Sequence, residues 1–443
     1  MADRQRVLLI NVPITWAGKR RPVYPLGPAY IGSYLQRERG YEVDLIDLNV
    51  EPDPDRALSN LLRDFAPDAV GVSLRDAFFF DEPQLGNLQR VLDIVKQYGD
   101  LPVFGGGAGM SLYAPGFLRE APLLDAVVFG EGETGAASWL CGKPTGVWTR
   151  GDDGPRMAMP PQFLPAEQIK RPQIAWPHLD PKRYRYLGVQ TKRGCPHNCD
   201  FCPEPSLVGR KLRLFDLHEV TAAVDDAVDA GVPEIFFVDT IFDKPVKHSA
   251  ALLRELAKRD RLKLHMYVHA ESLTREYVDL LAAAGAKLIY ISVESASPSV
   301  SQAIGAPTSV QAVEANKANY ERHDQIGVRY SYMVGLPEER LRDLAATFAH
   351  MIKVFVRGRL RTLPYFEPFN PTPGSALFSR LYGDAPEAYD VRRYRLYRPG
   401  WSFYFIFIRL LGRFADAVGL LWTTSDSRRR KSVENIRTAN HPE

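Results

Sequence analysis

The chain is poor in cysteine, has almost no excess charge and contains no long apolar run. It has four cysteines in 443 residues and a net charge of +3. So few cysteines, three of them in one short stretch, exclude a disulfide framework and favour a reducing, cytoplasmic setting. The small net charge gives no case for nucleic-acid binding. The most apolar run, Trp401 to Ile408, ends at Arg409 and is too short to span a bilayer. The first residues run directly into a predicted strand, so we expect no signal peptide.

Three of the cysteines share the stretch Thr191-Lys-Arg-Gly-Cys-Pro-His-Asn-Cys-Asp-Phe-Cys-Pro203, in a C-x3-C-x2-C spacing. Thiolates are favoured ligands of iron–sulfur clusters. Three cysteines bind three irons of a four-iron cluster. A fourth iron without a protein ligand is typical of a catalytic cluster rather than of one that only transfers electrons. The alternative is a zinc knuckle completed by His197 or Cys141, although structural zinc commonly uses two close pairs of ligands. Otherwise Cys141 is expected to be an ordinary buried cysteine.

The spacing, with Phe201 directly before the third cysteine, resembles the signature of radical S-adenosylmethionine (SAM) enzymes. This resemblance implies that Cys195, Cys199 and Cys202 bind a 4Fe-4S cluster whose open iron holds the amino and carboxylate groups of SAM. It also implies that an external electron donor, such as flavodoxin or ferredoxin, reduces the cluster. The electron then usually splits SAM and releases a 5′-deoxyadenosyl radical.

Short apolar runs alternate with helical patterns through residues 1–141. The pattern predicts strands at 7–12, 42–47, 68–74, 101–104 and 124–129, separated by helices at 27–39, 56–65 and 84–98. Such alternation is typical of an α/β domain with a doubly wound, Rossmann-like parallel sheet. Sheets of this kind bind ligands at the carboxyl ends of their strands.

Glycine, proline and acidic residues collect at these strand ends. They are Pro25, Leu26, Gly27, Ser73, Leu74, Gly105, Gly106, Gly107, Gly130, Glu131, Gly132 and Glu133. Glycine lets a large ligand approach the backbone closely, although each cluster taken singly is also explained by a tight turn. The arrangement resembles the cobalamin-binding domain that precedes many radical SAM cores, and the resemblance implies that these residues contact cobalamin.

One departure from other cobalamin domains concerns the lower axial ligand of cobalt. Mutase-type domains carry an Asp-x-His-x-x-Gly motif, whereas no histidine precedes His178 here. Arg75, directly after the third strand, is a candidate to face cobalt instead, as an arginine does in the cobalamin-dependent tryptophan methyltransferase of thiopeptide biosynthesis. The alternative for Arg75 is an ion pair with Asp76 or Asp81.

A substitution at Arg75 tests this role. A permanent positive charge below the metal should discourage a lower ligand and favour Co(I), so Arg75→Ala should still bind cobalamin but methylate cobalt more slowly. Absorbance spectroscopy measures that rate. If Arg75 only pairs on the surface, its loss should cost at most about 1 kcal/mol and leave the rate unchanged.

Six strand–helix units follow between residues 187 and 374, after a linker at 142–186 rich in glycine and proline. The strands are predicted at 187–191, 234–239, 262–268, 287–294, 328–334 and 361–366. Repeated units of this kind form a full or partial parallel barrel, and six of them resemble the partial (β/α)6 barrel of radical SAM enzymes. Residues 375–443 are predicted to form a small, mostly helical region. Its apolar stripe is Phe407, Leu411, Phe414, Val418 and Leu421.

Polar residues at the ends of the later strands match the SAM-binding positions of the radical family. The resemblance implies that Asp239 and Thr240 hold the amino group of SAM. It implies likewise that Ser292 and Glu294 hold the ribose, and that the backbone at Gly335 approaches the adenine. Many relatives also have an arginine after the third strand for the SAM carboxylate. His269 stands in that segment here, and either replaces the arginine or leaves the contact missing.

These features together predict a cobalamin-dependent radical SAM methyltransferase in specialised metabolism. It would move a methyl group from SAM, through methylcobalamin, to an unreactive carbon of a small-molecule or peptide substrate. The first alternative uses the same cofactors for a rearrangement, ring contraction or oxidative cyclisation. A methylthiotransferase would need a second cluster, for which the amino-terminal domain has only Cys141. The non-enzymatic alternative is a zinc or electron-transfer module.

Overall fold

The computed structural model describes residues 5–13, 23–74, 82–337, 339–358 and 361–383, which divide into two units. Among these residues, the first unit comprises 5–196, 201–233 and 372–383, and the second comprises 197–200 and 234–371. Arg75 and the predicted carboxyl-terminal stripe lie outside the described residues. The domain boundaries given above stay predictions.

The first unit contains a seven-stranded sheet and its flanking helices. The strands are β1 (Arg6–Asn11), β2 (Glu42–Asp47), β3 (Ala69–Ser73), β4 (Val103–Gly106), β5 (Ala126–Val128), β6 (Val147–Gly151) and β7 (Gly154–Met157). The helices are α1 (Leu26–Arg39), α2 (Pro54–Phe65), α3 (Glu82–Tyr98), α4 (Ala108–Leu112), α5 (Ala114–Glu120) and α6 (Gly132–Leu140). The strands β1 and β3 read as nearly continuous apolar runs because helices cover both faces of such a sheet.

The strand order is β2-β1-β3-β4-β5-β6-β7, and the strands from β1 to β5 pair in parallel. The order reverses between β1 and β3, and ligands of doubly wound sheets bind at such a reversal. The backbone N–H of Val12 donates to the carbonyl of Ser73 (3.0 Å), and the N–H of Leu74 donates to that of Gly106 (3.2 Å). The carboxyl ends of β1, β3 and β4 therefore lie side by side, where the cobalamin contacts were predicted.

Residues 142–186 contribute to the first unit in two ways. The antiparallel strands β6 and β7 extend the sheet beyond β5. Further along, the ring of Trp176 packs against Gly32 of α1, where an added Cβ would lie 2.7 Å from the ring. The hydroxyl of Tyr184 donates to the carboxylate of Asp47 (2.7 Å) at the end of β2.

The rest of the first unit lies around the cysteine motif in sequence, apart from one helix near the end of the described residues. It consists of β8 (Leu187–Val189), β9 (Lys192–Arg193), α7 (Glu204–Val208), β10 (Arg213–Leu214), α8 (Leu217–Asp229) and α14 (Ala376–Tyr382). The strands β9 and β10 pair antiparallel, so the segments before and after the cysteines run beside each other. The side chain of Asp216 caps α8 by accepting from the N–H of His218 (2.8 Å).

The second unit contains five parallel strands in the order β15-β14-β13-β12-β11. They are β11 (Glu234–Phe237), β12 (Lys263–Tyr267), β13 (Ala286–Glu294), β14 (Gly327–Val334) and β15 (Thr362–Pro368). The helices between them are α9 (Val246–Leu256), α10 (Arg275–Ala283), α11 (Pro298–Ala303), α12 (Val310–Glu321) and α13 (Leu341–Arg357). Along β13, the side chains of Ile289, Ile291 and Val293 are fully buried, whereas Ser292 between them is partly exposed. One face of this sheet is therefore closed and the other is partly accessible.

Within the described ranges, no helix is long and apolar enough to cross a membrane.

Two glycines with left-handed backbone allow a matched test of the packing. Gly285 precedes β13 with φ +89°, and an added Cβ would lie 2.5 Å from the carbonyl oxygen of Leu262. Gly142 has φ +71°, but nothing lies within 4 Å of the same added atom. We expect Gly142→Ala to cost about 1–2 kcal/mol of unfolding free energy through backbone strain alone. Gly285→Ala should cost about 3 kcal/mol or more because a clash adds to the strain. Urea unfolding measures both, and equal losses would contradict the close approach at Gly285.

Candidate active site

The amino-terminal arm of the cysteine loop is fixed by backbone contacts in the first unit. The N–H of Cys195 donates to the carbonyl of Gly209 (3.0 Å). Gly194 has φ +94°, and an added Cβ there would lie 2.2 Å from the carbonyl oxygen of Lys211. Only glycine fits this position, because both the conformation and the approach exclude a side chain.

The middle of the loop is fixed in the same way in the second unit. The N–H of Asp200 donates to the carbonyl of Ile304 (3.0 Å). Gly305 has φ +63°, and an added Cβ would lie 2.6 Å from the carbonyl oxygen of Asn198. The short segment 197–200 therefore has a defined backbone although it contains no helix or strand.

The donor chemistry of this loop fits a 4Fe-4S cluster. Cys195 is buried, while Cys199, Cys202 and the adjoining Phe201 are partly exposed. Among the described residues, no three His, Cys, Asp or Glu side chains are grouped to hold a metal ion. A cluster interposes its own iron and sulfide atoms between its thiolates, so it does not need three sulfurs to meet around one ion. The fourth cysteine, Cys141, is exposed and not buried as predicted, because it ends α6 at the surface beside Tyr41.

The buried His269 and Asp243 lie next to the 197–200 segment of the cysteine loop in the second unit. The ring of His269 meets the ring of His197 edge-on, with 5.0 Å between centroids. The Nδ1 atom of His269 lies 3.6 Å from the carboxylate of Asp243, which also accepts from the His269 backbone N–H (3.1 Å). Burial alone would raise the pKa of Asp243, but His269 and Ser272 lower it below its usual range. His269, considered above for the SAM carboxylate, thus has a buried acidic neighbour.

The predicted SAM contacts lie at the carboxyl ends of three strands of the second unit. Asp239 is buried and Thr240 is exposed, both shortly after β11. Ser292 accepts a hydrogen bond from the hydroxyl of Ser331 (3.1 Å). Gly335 follows β14 with φ +83°, and its N–H donates to the carboxylate of Glu339 (2.7 Å). The structure places these residues at one edge of the sheet, as parallel strands require.

Glu294 has the least ordinary environment of the group. It ends β13 at an irregularity in the pairing with β14 and has φ +66°, a conformation that costs a non-glycine residue energy. Burial, and then the negative charge of Glu367, raise the pKa of Glu294 to about 8, while a hydrogen bond with Ser292 acts in the opposite direction. Strain and a perturbed carboxyl group at the edge of a parallel sheet are typical of a functional residue.

The predicted cobalamin contacts in the first unit divide into two kinds. Gly27 and Gly106 have open space on the side where a Cβ would lie. Gly105 and Gly107 are instead needed for packing, because an added Cβ would lie 2.8 Å from Met110 and 2.4 Å from the Leu74 carbonyl oxygen respectively. Pro25 and Leu26 begin α1 beside Gly27, and Ser73 and Leu74 end β3. Open backbone at this edge fits a large ligand such as cobalamin.

The segment Gly130–Glu133 engages the chain on either side of the cysteine motif. Glu133 pairs with Arg193 (2.7 Å), and Glu131 pairs with both Arg193 (3.4 Å) and Arg213. An added Cβ at Gly132 would lie 2.3 Å from Ile31, so this glycine lets α6 approach α1. These contacts give Glu131, Gly132 and Glu133 a structural role, and their contact with cobalamin stays a prediction.

Sequence reasoning missed an aromatic surface on the accessible face of the second sheet. Tyr267 and Tyr290 pair in register with centroids 4.8 Å apart, and the guanidinium of Arg329 lies 5.4 Å from the Tyr290 ring centroid. Tyr365 pairs in register with Ser331 on the adjoining strand. We call Tyr267, Tyr290 and Tyr365 the tyrosine face. The signal was a period-two recurrence, of Tyr290, Ser292 and Glu294 along β13 and of Tyr365 and Glu367 along β15.

Comparison with known families agrees with this architecture. Residues 20–139 match the B12 binding domain, and residues 189–351 match the Radical SAM superfamily. The chain belongs to the cobalamin-dependent radical SAM enzymes. A 4Fe-4S cluster, SAM and cobalamin are accordingly its cofactors, and the predicted fold class is confirmed.

Three similar proteins illustrate the relationship. The structure of the radical SAM methyltransferase TsrM from Kitasatospora setae, with tryptophan substrate and the SAM analogue aza-SAM, matches with a TM-score of 0.73 and 22% identity. This match covers 85% of the present chain and 76% of TsrM. An uncharacterised methyltransferase of Pyrococcus horikoshii is 24% identical over 84% of this chain and 82% of its own length. The anaerobic magnesium-protoporphyrin IX monomethyl ester cyclase of Rubrivivax gelatinosus is 24% identical over 85% and 69%.

The raised pKa of Glu294 gives this radical SAM enzyme a testable pH dependence. The folded state holds the proton of Glu294 up to about pH 8, whereas the unfolded chain releases it near its ordinary pKa of 4.5. Stability should therefore fall as pH rises between these values, by up to about 4 kcal/mol from pH 5 to pH 8. In Glu294→Gln this component should disappear.

Urea unfolding of the cofactor-free protein at several pH values measures the effect. The exposed Glu276→Gln, at the start of α10, is a matched control that should keep the wild-type pH dependence. A Glu294→Gln curve parallel to the wild-type curve would show that Glu294 is ionised throughout this range.

Proposed function

We propose that this enzyme is a methyltransferase that moves a methyl group from SAM, by way of cobalamin, to an unreactive carbon of a small molecule or peptide in specialised metabolism. The observation that carries the proposal is that one structural unit contains parts of both predicted cofactor sites. The first unit contains a doubly wound sheet, with free space beside Gly27 and Gly106 at its carboxyl edge, and also the arm that carries Cys195. Both TsrM and the relative from Pyrococcus horikoshii are methyltransferases.

In this proposal the protein supplies binding and orientation. Cys195, Cys199 and Cys202 hold the cluster, and Gly27 and Gly106 leave room for the corrin ring. Cobalamin, when bound, supplies a cobalt nucleophile that accepts a methyl group from SAM and passes it on. Arg75 is proposed to keep the lower face of cobalt open, and an external protein such as flavodoxin or ferredoxin is proposed to provide electrons.

The SAM molecule is proposed to lie along the strand edge of the second unit. The carboxylate of Asp239 and the hydroxyl of Thr240 suit the ammonium group of SAM. Ser292 and Glu294 suit the ribose hydroxyls, since an ionised or neutral carboxyl group accepts from them. The backbone at Gly335 suits a flat adenine ring because no side chain intervenes.

The tyrosine face is proposed to receive the carbon substrate. Aromatic rings offer large contact areas and can stack on planar molecules. The buried Arg329, 5.4 Å from the Tyr290 ring centroid, and the exposed Glu367 at the end of β15 place charges of both signs beside this face. This combination favours a planar, partly polar substrate, and the tryptophan bound to TsrM is of that kind.

A second candidate is favoured by the relative from Rubrivivax gelatinosus, which is a cyclase. The same cofactors would then support an oxidative cyclisation or rearrangement without net methyl transfer. The two candidates differ in the fate of SAM. Loss of the methyl group leaves S-adenosylhomocysteine, whereas radical cleavage alone leaves 5′-deoxyadenosine.

The by-products of SAM therefore test the proposal without knowledge of the substrate. We expect the anaerobically reconstituted, reduced enzyme to form S-adenosylhomocysteine in proportion to bound cobalamin when it receives SAM carrying a labelled methyl group. Mass spectrometry measures the by-products, and the label should appear on the corrinoid. The matched control replaces Cys195, Cys199 and Cys202 by Ala, and it should lose the brown cluster absorbance and its iron. Exclusive formation of 5′-deoxyadenosine in the wild type would favour the second candidate.

A further inference from the structure

The segment Gly130–Glu133, here called the acidic loop, contacts both arms of the cysteine loop that lie in the first unit. On the amino-terminal arm, Arg193 is 7% exposed and pairs with Glu131 and Glu133, which are 7% and 3% exposed. Its guanidinium also lies 4.9 Å from the ring centroid of Tyr30 in α1. Arg193 stands two positions before Cys195, so its placement restricts the placement of that cysteine.

The carboxyl-terminal arm meets the same loop. An added Cβ at Gly130, which has φ +75°, would lie 2.6 Å from the carbonyl oxygen of Leu207 in α7. Arg213 donates to Glu131 (2.9 Å) and to the carbonyl of Val208 (2.7 Å). The chain that follows Cys202 is thus held against the acidic loop by a close backbone approach and by a bridging arginine.

The acidic loop is also hydrogen-bonded to the edge of the sheet where cobalamin is predicted to bind. The backbone N–H of Gly130 donates to the hydroxyl of Ser111 (3.1 Å), and this hydroxyl donates to the carbonyl of Val128 (3.0 Å). The backbone N–H of Ser111 donates to the carbonyl of Gly107 (2.9 Å), at the start of α4. A continuous path of hydrogen bonds and ion pairs therefore runs from Gly107, through Ser111 and the acidic loop, to Arg193.

We propose that the acidic loop couples the two cofactor sites, so that bound cobalamin and an assembled cluster each strengthen the binding of the other. This rests on the proposed cofactor positions. Cobalamin seated at Gly106 would restrain the adjoining Gly107 and α4, and Ser111 would pass that restraint to Gly130. The buried carboxylates would then hold Arg193, and with it the Cys195 arm, in the geometry that the cluster needs. Binding free energies are reciprocal, so an assembled cluster must improve cobalamin binding by the same factor.

A purely static role for the ion pairs makes a different prediction. Buried charges are costly unless paired, so the loss of one partner would destabilise the fold even without coupling. A direct contact of Glu133 with cobalamin would also lower cobalamin affinity when the residue is changed. In both cases the affinity would fall equally with and without the cluster, whereas coupling requires that the ratio of the two affinities changes.

The test is a titration of the full chain with hydroxocobalamin, followed by absorbance, with the cluster loaded and after its removal by a chelator. In the wild type we expect binding at least about tenfold tighter with the cluster present. In Glu133→Gln, which keeps the shape of the side chain, and in Ser111→Ala, the factor should fall below about threefold. The paramagnetic resonance spectrum of the reduced cluster should shift on cobalamin addition in the wild type and not in the variants.

The control is Asp226→Asn, which removes a partly exposed ion pair with Arg171 in the same unit and should keep the wild-type factor. A wild-type factor near one would overturn the coupling. So would an unchanged factor in Ser111→Ala, a variant that keeps every charge of the network. A protein that binds no cobalamin in either state would instead contradict the proposed cobalamin site, so the two failures are distinguishable.

Discussion

The pairing of buried Arg193 with Glu131 and Glu133 is the constraint on which the first unit depends. Burying a guanidinium without anionic partners is costly, and the partners of Arg193 lie 62 and 60 positions earlier in the chain. The end of the doubly wound sheet and the beginning of the cysteine loop must therefore fold against each other. These ion pairs explain why Arg193 and Arg213, on either side of the cysteines, group with the amino-terminal sheet.

The second unit obeys a different constraint, the two-residue period of its strands. Alternate residues of β13 and β14 pack without exposure on one face, while tyrosine, serine and carboxylate side chains share the other. Such a sheet can hold polar groups in fixed positions because its closed face supplies the stability. Glu294 lies at the edge of the polar face in a strained backbone conformation. The strain costs stability, and it fixes the position of the Glu294 carboxyl group.

The sequence predicted the strands well and the partners of individual residues poorly. The buried parallel strand β1 was predicted within one residue of its bounds because it reads as an apolar run, and the bounds predicted for β2 match those observed. The hairpin β6–β7 was missed because its glycines and prolines are typical of a turn or linker. Glu219 in the first turn of α8 lies 3.4 Å from Arg171, which is 48 positions earlier in the chain. Local patterns report backbone conformation, whereas the neighbour of Gly130 or of Glu133 depends on segments far away in sequence. The predicted cofactor contacts could therefore be placed at strand ends, but their separate roles could not be assigned.

The contacts of Trp176 and Tyr184 have a consequence for how this protein can be divided. The tryptophan fills the space left by Gly32, and the tyrosine satisfies a carboxylate oxygen of the otherwise buried Asp47. A fragment that stopped before these residues would expose the packing surface of α1. It would also leave Oδ2 of the buried Asp47 without its donor, since Asn11 and Asn49 donate to the other oxygen, Oδ1. The cobalamin-binding sheet with its helices up to α6 is therefore not a complete folding unit. Chimeric proteins that combine this sheet with another radical core should carry the native segment up to Tyr184 along with it.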